Sequence, residues 1–241
     1  MPETGQSWSV LVFCYNEAGT VKQVAESVLD FFHKIHCDDH EIIIVDDGST
    51  DGSAAIIDTF AKEHPSVRVI RHEKNRGIGQ ALLSGYFAAT KENITAVPAD
   101  AQFDVNELSA FPEVEKGTFV SFFRKENTVY SLTRNILSWF NKMVNRVFLG
   151  IKLRDVNWVK IFKREELVQL DLKMKSSLVE SEICSKLLIR NNKVIETHSV
   201  YHRRRSGVSK GAGGKVLRQA MAETLKLIFI ISLYRFKKFP A

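Results

Sequence analysis

The sequence predicts an α/β fold, a mostly parallel central sheet flanked by helices. Three observations carry that expectation. Short β-branched runs alternate with amphipathic segments through the first half of the chain; polar turns rich in Asp, Asn and Gly follow several of those runs; and the composition, 44% hydrophobic and 26% charged, is that of an ordinary globular protein. At 241 residues the chain can hold one large α/β domain or one domain with an appendage.

The elements follow in order. WSVLVFC (8–14), EIIIV (41–45), VRVI (67–70) and ITAV (94–97) are short and β-branched enough for buried strands. Between the first two, Val21, Val24, Ala25, Val28, Leu29, Phe32 and Ile35 fall on one helical face, and segments 53–64 and 77–90 repeat that pattern. TFVSFF (118–123) reads as a further strand and 128–149 as a long helix. KLRDVNW (152–158) is a polar stretch, 178–190 is helical, and a strand precedes the Gly- and Ser-rich YHRRRSGVSKGAGG (201–214), which reads as a mobile loop. A helix over 215–236 ends the chain, so the expected organisation is one domain over 1–214 and a C-terminal helix over 215–241. Strand–helix alternation implies right-handed crossovers, and ligands of such sheets bind at the carboxyl ends of the strands. YNE (15–17), DDGSTDG (46–52) and PADAQFD (98–104) therefore belong to one edge.

Charge narrows the partners. The net charge of +6 conceals an asymmetry: residues 201–241 hold ten Lys and Arg against the single acid Glu223. A basic tail on a mildly acidic body suits phosphates, whether of nucleic acid, a lipid surface or a phosphorylated substrate, or is simply a solvated tail. No base-stacking or groove-reading motif accompanies it, so nucleic acid is not expected. Cys14, Cys37 and Cys184 are odd in number, with no CxxC pair and no zinc spacing, and read as reduced thiols. The start MPETGQSW is unlike a signal peptide, and no run reaches the ~18 apolar residues of a membrane span. The expected location is cytoplasmic, peripheral on the cytoplasmic face of a membrane.

VDDGSTDG sets two carboxylates where a strand ends. They either satisfy turn amides and cap the next helix, or accept hydrogen bonds from the N–H and hydroxyl groups of a ligand. NRGIGQAL (75–82) brings two glycines to a helix start, where backbone amides can hold an anion, although it lacks the dinucleotide pattern GxGxxG after the first strand. PADAQFD is either a metal and phosphate site or the polar turn after a buried strand.

VFCYNEAGTV, VDDGSTDG, NRGIGQAL and PADAQFD, in this order and spacing, resemble the family 2 glycosyltransferases of the GT-A fold. The later RRRSGVSKGAGGK is similar to the polyprenyl-phosphate branch, which acts on dolichyl or undecaprenyl phosphate, and the resemblance covers roughly residues 8–220. It implies that Tyr15, Glu17, Val45, Asp47, Ala99 and Asp100 hold the nucleotide of a nucleotide-sugar donor. It also implies that Asp100 and Gln102 hold Mg²⁺ or Mn²⁺ on the diphosphate. Phe13 stands where the family usually has Pro, and Pro98 where its metal motif has a first Asp. A hard cation can still be held by one carboxylate when phosphates and water complete its shell. Asp104, before VNEL, suits a helix N-cap better than a ligand.

The resemblance further implies that Arg204 and Lys210 of RxxGxSK bind phosphate and that Arg124, after TFVSFF, helps bind the acceptor phosphate. These three, with Asp100, are the expected catalytic residues. A phosphate acceptor needs no strong base; a sugar hydroxyl would, and Asp155, Glu180 and Glu182 are the carboxylates available for it. Asp155 could equally brace a loop. LKLIFIISLYRF with its basic end is too short to span a bilayer and reads either as an interfacial segment that holds the domain on the membrane, with a membrane-protein partner, or as a helix docked on the core. The function implied is inverting transfer of a sugar to a polyprenyl phosphate. Transfer to a glycan hydroxyl and a non-catalytic sugar-nucleotide-binding homologue remain alternatives.

Overall fold

The computed structural model describes residues 5–124, 143–202 and 214–238. Seven strands form one sheet in the order β3-β2-β1-β4-β6-β5-β7. They are β1 (Trp8–Cys14), β2 (His40–Asp46), β3 (Val67–Arg71), β4 (Asn93–Pro98), β5 (Thr118–Arg124), β6 (Lys160–Lys163) and β7 (Lys193–Ser199). β1 pairs in parallel with β2 and β4, β2 with β3, and β5 with β7, whereas β6 runs antiparallel to both β4 and β5. The expected α/β fold is therefore present, with one reversed strand that the sequence reading had placed in no element. β6 follows a polar loop directly and carries a lysine at each end, which hides it from a search for β-branched runs.

Alternation along the buried strands builds two cores. Trp8, Val10, Val12 and Cys14 face one side, where α1 (Val21–Lys34) and α2 (Ser53–Glu63) cover them with Val24, Val28, Phe31, Phe32, Ile57 and Phe60. Leu11, Ile43 and Val45 face the other side, under α3 (Ile78–Ala88), α5 (Val179–Ile189) and α6 (Gly214–Lys238). α4 (Arg164–Leu167) is a single turn after β6, and Val105–Ala110 is a 3-10 helix. Gly85 lets α3 lie directly on the sheet, because a Cβ there would come within 2.3 Å of Leu11 Cδ2.

Of the helix expected over 128–149, residues 125–142 lie outside the described residues and 143–147 are helical. The RxxGxSK segment with Arg204 and Lys210 also lies outside them. The C-terminal helix puts Leu227 and Ile231 into the second core, so one of its faces is docked. Among the described residues no helix is long and apolar enough to cross a membrane. The three cysteines are buried and free.

Candidate active site

The parallel ladder of β1, β2 and β4 brings their carboxyl ends to one edge, with Cys14 opposite Asp46 and Phe13 opposite both Val45 and Pro98. The turn after β2 is bound to the turn after β1. Asn16 donates its amide to Ser49 Oγ (3.0 Å) and accepts from Thr50 N (2.7 Å), and Asp51 Oδ2 takes the Ala18 amide (3.0 Å). Asp46 is buried, accepting from Ser49 N (3.0 Å) and Arg71 Nε (3.1 Å). Gly48 holds φ at +76°, and a Cβ on it would sit 2.5 Å from the Lys74 carbonyl carbon, so glycine lets this turn meet the loop after β3.

Asp47 organises the NRGIG loop. Its Oδ1 accepts from His72 Nδ1 (2.6 Å) and Arg76 N (2.9 Å), and its Oδ2 from Gly77 N (2.8 Å). Ser84 Oγ lies 2.9 Å from His72 Nε2 and fixes the ring from its other side. The carboxylate thus braces the NRGIG loop. Val45 has no exposed surface, so its side chain belongs to the core beneath the site. Ala99 is equally buried and donates its amide to Phe13 O (3.1 Å). Glu17 is buried, with its amide on Ser53 Oγ (3.0 Å), and Tyr15 is half-buried in the same turn.

Asp100 lies in the turn after β4 and lines a cavity of about 370 Å³. Its Oδ1 accepts the Gln102 amide (3.0 Å) in a tight turn in which Ala101 takes φ +58°. Phe13, Ile78, Leu82, Ala96, Pro98 and Val159 make the cavity walls apolar. The two departures from the family pattern, Phe13 and Pro98, are register partners and face this same space. Asp104 is a cap: its Oδ1 accepts from Asn106 N at 3.0 Å.

Charge lies at the bottom of the cavity. Glu180, at the start of α5, accepts from Tyr86 Oη (2.5 Å) on one oxygen and from Lys160 Nζ (2.8 Å) on the other. Lys160 is fully buried and also donates to the Val156 and Trp158 carbonyls (2.6 and 2.8 Å). Burial, the largest single influence, works to lower the pKa of Lys160, and the surrounding negative groups, Glu180 foremost, together outweigh it and hold the ammonium above its ordinary value. Burial first, and then the Glu180 charge and hydrogen bond, push the Tyr86 phenol well up. Glu182 is a separate feature that accepts from the Lys173 and Met174 amides and from Lys186 Nζ.

On the far side of Asp100, Gln102 joins the start of the basic segment. Its Nε2 donates to Tyr201 Oη (2.6 Å), its carbonyl accepts the His202 amide (3.0 Å), and Phe103 bridges to Tyr201. Arg124 stacks over Trp158, its guanidinium carbon 4.6 Å from the ring centroid, and donates from Nε to Asp155 Oδ2 (2.7 Å). Asp155 also takes the Asn157 amide (3.1 Å), so it braces both the loop and Arg124. Asp100, Gln102 and Arg124 therefore belong to one neighbourhood. His72, Tyr86, Lys160, Trp158 and Tyr201 were not expected here. Only His72 had a readable signal, as it follows β3 at the same carboxyl edge.

A family model described as glycosyl transferase family 2 matches residues 9–149. A polyprenol monophosphomannose synthase of Mycolicibacterium smegmatis is 26% identical over 226 residues, covering 88% of this chain and 83% of that protein. A poly-beta-1,6-N-acetyl-D-glucosamine synthase of Staphylococcus epidermidis is 38% identical over 96 residues, covering 40% of this chain and only 22% of that protein's length. Among solved structures, a mannosyltransferase of Pyrobaculum calidifontis in complex with GDP-Man and Mn²⁺ aligns over 97% of this chain and 66% of its own, with a TM-score of 0.59 at 21% identity.

Proposed function

The chain belongs to glycosyl transferase family 2, and from that premise we propose that it moves a sugar from a nucleotide-sugar donor to a polyprenyl phosphate at a membrane surface, with inversion at the anomeric carbon. The observation that carries the reading is the tie between the Asp100 turn and the start of the basic segment at Tyr201 and His202. A donor diphosphate at Asp100 and cationic groups for an acceptor phosphate would share one edge. The synthase of M. smegmatis, whose match spans most of both chains, supports the acceptor class.

The residues fit a divalent cation, Mg²⁺ or Mn²⁺. Asp100 offers a lone carboxylate to the cavity, and because among the described residues no group of three or more His, Cys, Asp or Glu could hold a metal ion, most of its shell would come from the donor and water. The Asp100 carboxylate and the side-chain carboxamide oxygen of Gln102 would hold such an ion, with donor phosphate and water completing its shell. When bound, the ion neutralises charge on the departing diphosphate. The Mn²⁺ and GDP-Man of the Pyrobaculum structure support both cation and donor class.

In the reaction, an acceptor phosphate oxygen forms the bond to the anomeric carbon as the bond to the diphosphate breaks, and nucleoside diphosphate leaves. The attacking phosphomonoester is largely ionised near neutral pH, its second pKa being about 6, so the protein's contribution is position and charge. Arg124 is held by Trp158 and Asp155 for such a role, and phosphate binding is assigned to Arg204 and Lys210 as well. A hydroxyl acceptor, the alternative suggested by the 38% identical stretch, needs a carboxylate base. Glu180 is held on both oxygens by Tyr86 and Lys160, and Asp155 by Arg124 and Asn157, which favours the phosphate.

The test incubates the chain with GDP-mannose or UDP-glucose, with undecaprenyl phosphate in vesicles or a glycan acceptor, and with Mn²⁺ or EDTA. Nucleoside diphosphate release should require both cation and lipid phosphate. Release with glycan alone would favour the hydroxyl reading. Donor binding without release under any condition would make the chain a non-catalytic homologue.

A further inference from the structure

Helix α6 has two apolar faces, and only one is covered. Leu227 and Ile231 are 1% and 0% exposed against α5 and the second core. Met221, Leu225, Phe229, Leu233 and Phe236 recur at intervals of three and four residues on the outward face, exposed by 55, 66, 64, 45 and 72%. Five large apolar side chains in one stripe exceed the scattered exposure normal for a protein surface. At the edge of the stripe stand the exposed Lys226 and Lys237. The helix holds one acid, Glu223, and it is turned inward, half-buried, where its Oε2 accepts from Ser176 Oγ (3.1 Å). The helix's own outward face is therefore apolar and cationic, while the exposed Asp171 near Lys237 is ion-paired with Lys173.

We propose that this face lies on a lipid bilayer, with its apolar stripe in the headgroup–acyl boundary and its lysines on anionic headgroups. Charge complementarity selects the occupant. A second copy on the same stripe would bring the helix's lysines against one another, with Asp171 already paired to Lys173, whereas an anionic leaflet answers both the stripe and its flank. The placement also orients the domain. Glu223 is tied to Ser176, whose neighbour Ser177 lines the Asp100 cavity, and Lys186, in the last turn of α5, lies 5.1 Å from the Tyr234 ring. α6 thus runs alongside α5 in the same direction, and its Glu223 end lies beside one wall of the cavity, so this placement sets that wall close to the lipid surface. This inference goes beyond the proposed chemistry and needs no donor or acceptor to be tested.

The experiment is co-sedimentation of the full chain with phosphatidylcholine vesicles, with and without phosphatidylglycerol, at moderate salt. Binding should require phosphatidylglycerol. It should fall by roughly tenfold or more in Leu225→Glu and Phe229→Glu, and stay unchanged in Phe87→Glu, which alters an exposed ring on α3. Leu225→Ser, a milder change, repeats the test should either Glu variant melt below the wild type by circular dichroism. Absence of wild-type binding, or binding that all α6 variants keep, would overturn the proposal. So would a concentration-dependent dimer in sedimentation velocity that Phe229→Glu abolishes while vesicle binding is absent, because the stripe would then be a contact between copies.

Discussion

The two sides of the candidate site are built differently. Over β1 and β2, the carboxylates of Asp46, Asp47 and Asp51 each take several donors from neighbouring turns, so the loops there form a closed frame. Over β4 and β6, Asp100 stands at the mouth of an apolar cavity whose floor is the buried pair Lys160 and Glu180. The frame rests on backbone amides, which any folded copy of these turns supplies. The floor rests on two ions that only tertiary packing brings together. A site that must hold a diphosphate still and admit a sugar and a second phosphate needs both, a rigid edge and a shaped space beside it.

The sharpest way to break this contrast is at the floor. Lys160→Met should leave the Glu180 carboxylate buried without its ion partner and destabilise the chain by about 3–5 kcal/mol, read from urea unfolding. Adding Glu180→Leu should restore most of that loss, because an apolar pair of similar volume replaces the ions. Linkage gives a second signature. The Lys160 pKa is raised in the fold, so its stabilisation is complete below the unfolded lysine pKa and fades as pH rises through the folded one. If Lys160→Met costs under about 1 kcal/mol, the floor is no more specialised than a surface ion pair.

The frame should respond less in stability and more in binding. Asp47→Asn keeps the shape and removes the charge that receives His72 and the Arg76 and Gly77 amides. A loss of about 2–3 kcal/mol is expected from its charge-assisted hydrogen bonds, with weaker nucleoside diphosphate binding by calorimetry. Unchanged binding would mean that the NRGIG loop does not shape the nucleotide site.

The same contrast explains what the sequence could show. The frame was legible because turn chemistry is local: DDGSTDG and YNEAG declare their Gly, Asn and Asp positions, and parallel strands then bring them to one edge. The bracing role of Asp47 was not legible, because the amides that donate to it, those of Arg76 and Gly77, are distant in sequence. Nothing local announces the floor. Lys160 looks like a polar residue after a loop, and its burial depends on β6 reversing between β4 and β5. Tyr86 and Glu180, 94 positions apart, read as ordinary helix residues. The C-terminal helix was legible as apolar, yet its two-faced use depends on α5 covering only one side.

Glu41 offers the finest control, a carboxylate at the amino end of β2, whereas Asp47 directly follows that strand's carboxyl end. It is buried and accepts from Ser9 Oγ (2.7 Å), Thr90 N (2.6 Å), Thr90 Oγ1 (2.8 Å) and Arg68 Nη1 (2.7 Å). Burial alone would raise its pKa, and these hydrogen bonds outweigh burial and hold the carboxyl below its usual 4.5. A depressed carboxylate stabilises above the unfolded pKa, and that contribution fades as pH falls through the folded value. Glu41→Gln should therefore cost about 1–2 kcal/mol near neutral pH. The gap from wild type should narrow on acidification, read as melting temperature from about pH 7 to pH 3. Nucleoside diphosphate binding should not change, since Glu41 lies at the amino end of β2 and touches none of the site's turns. If Glu41→Gln weakens binding as much as Asp47→Asn does, the loss at Asp47 reports general loosening of the sheet, and the frame has no privileged hold on the nucleotide.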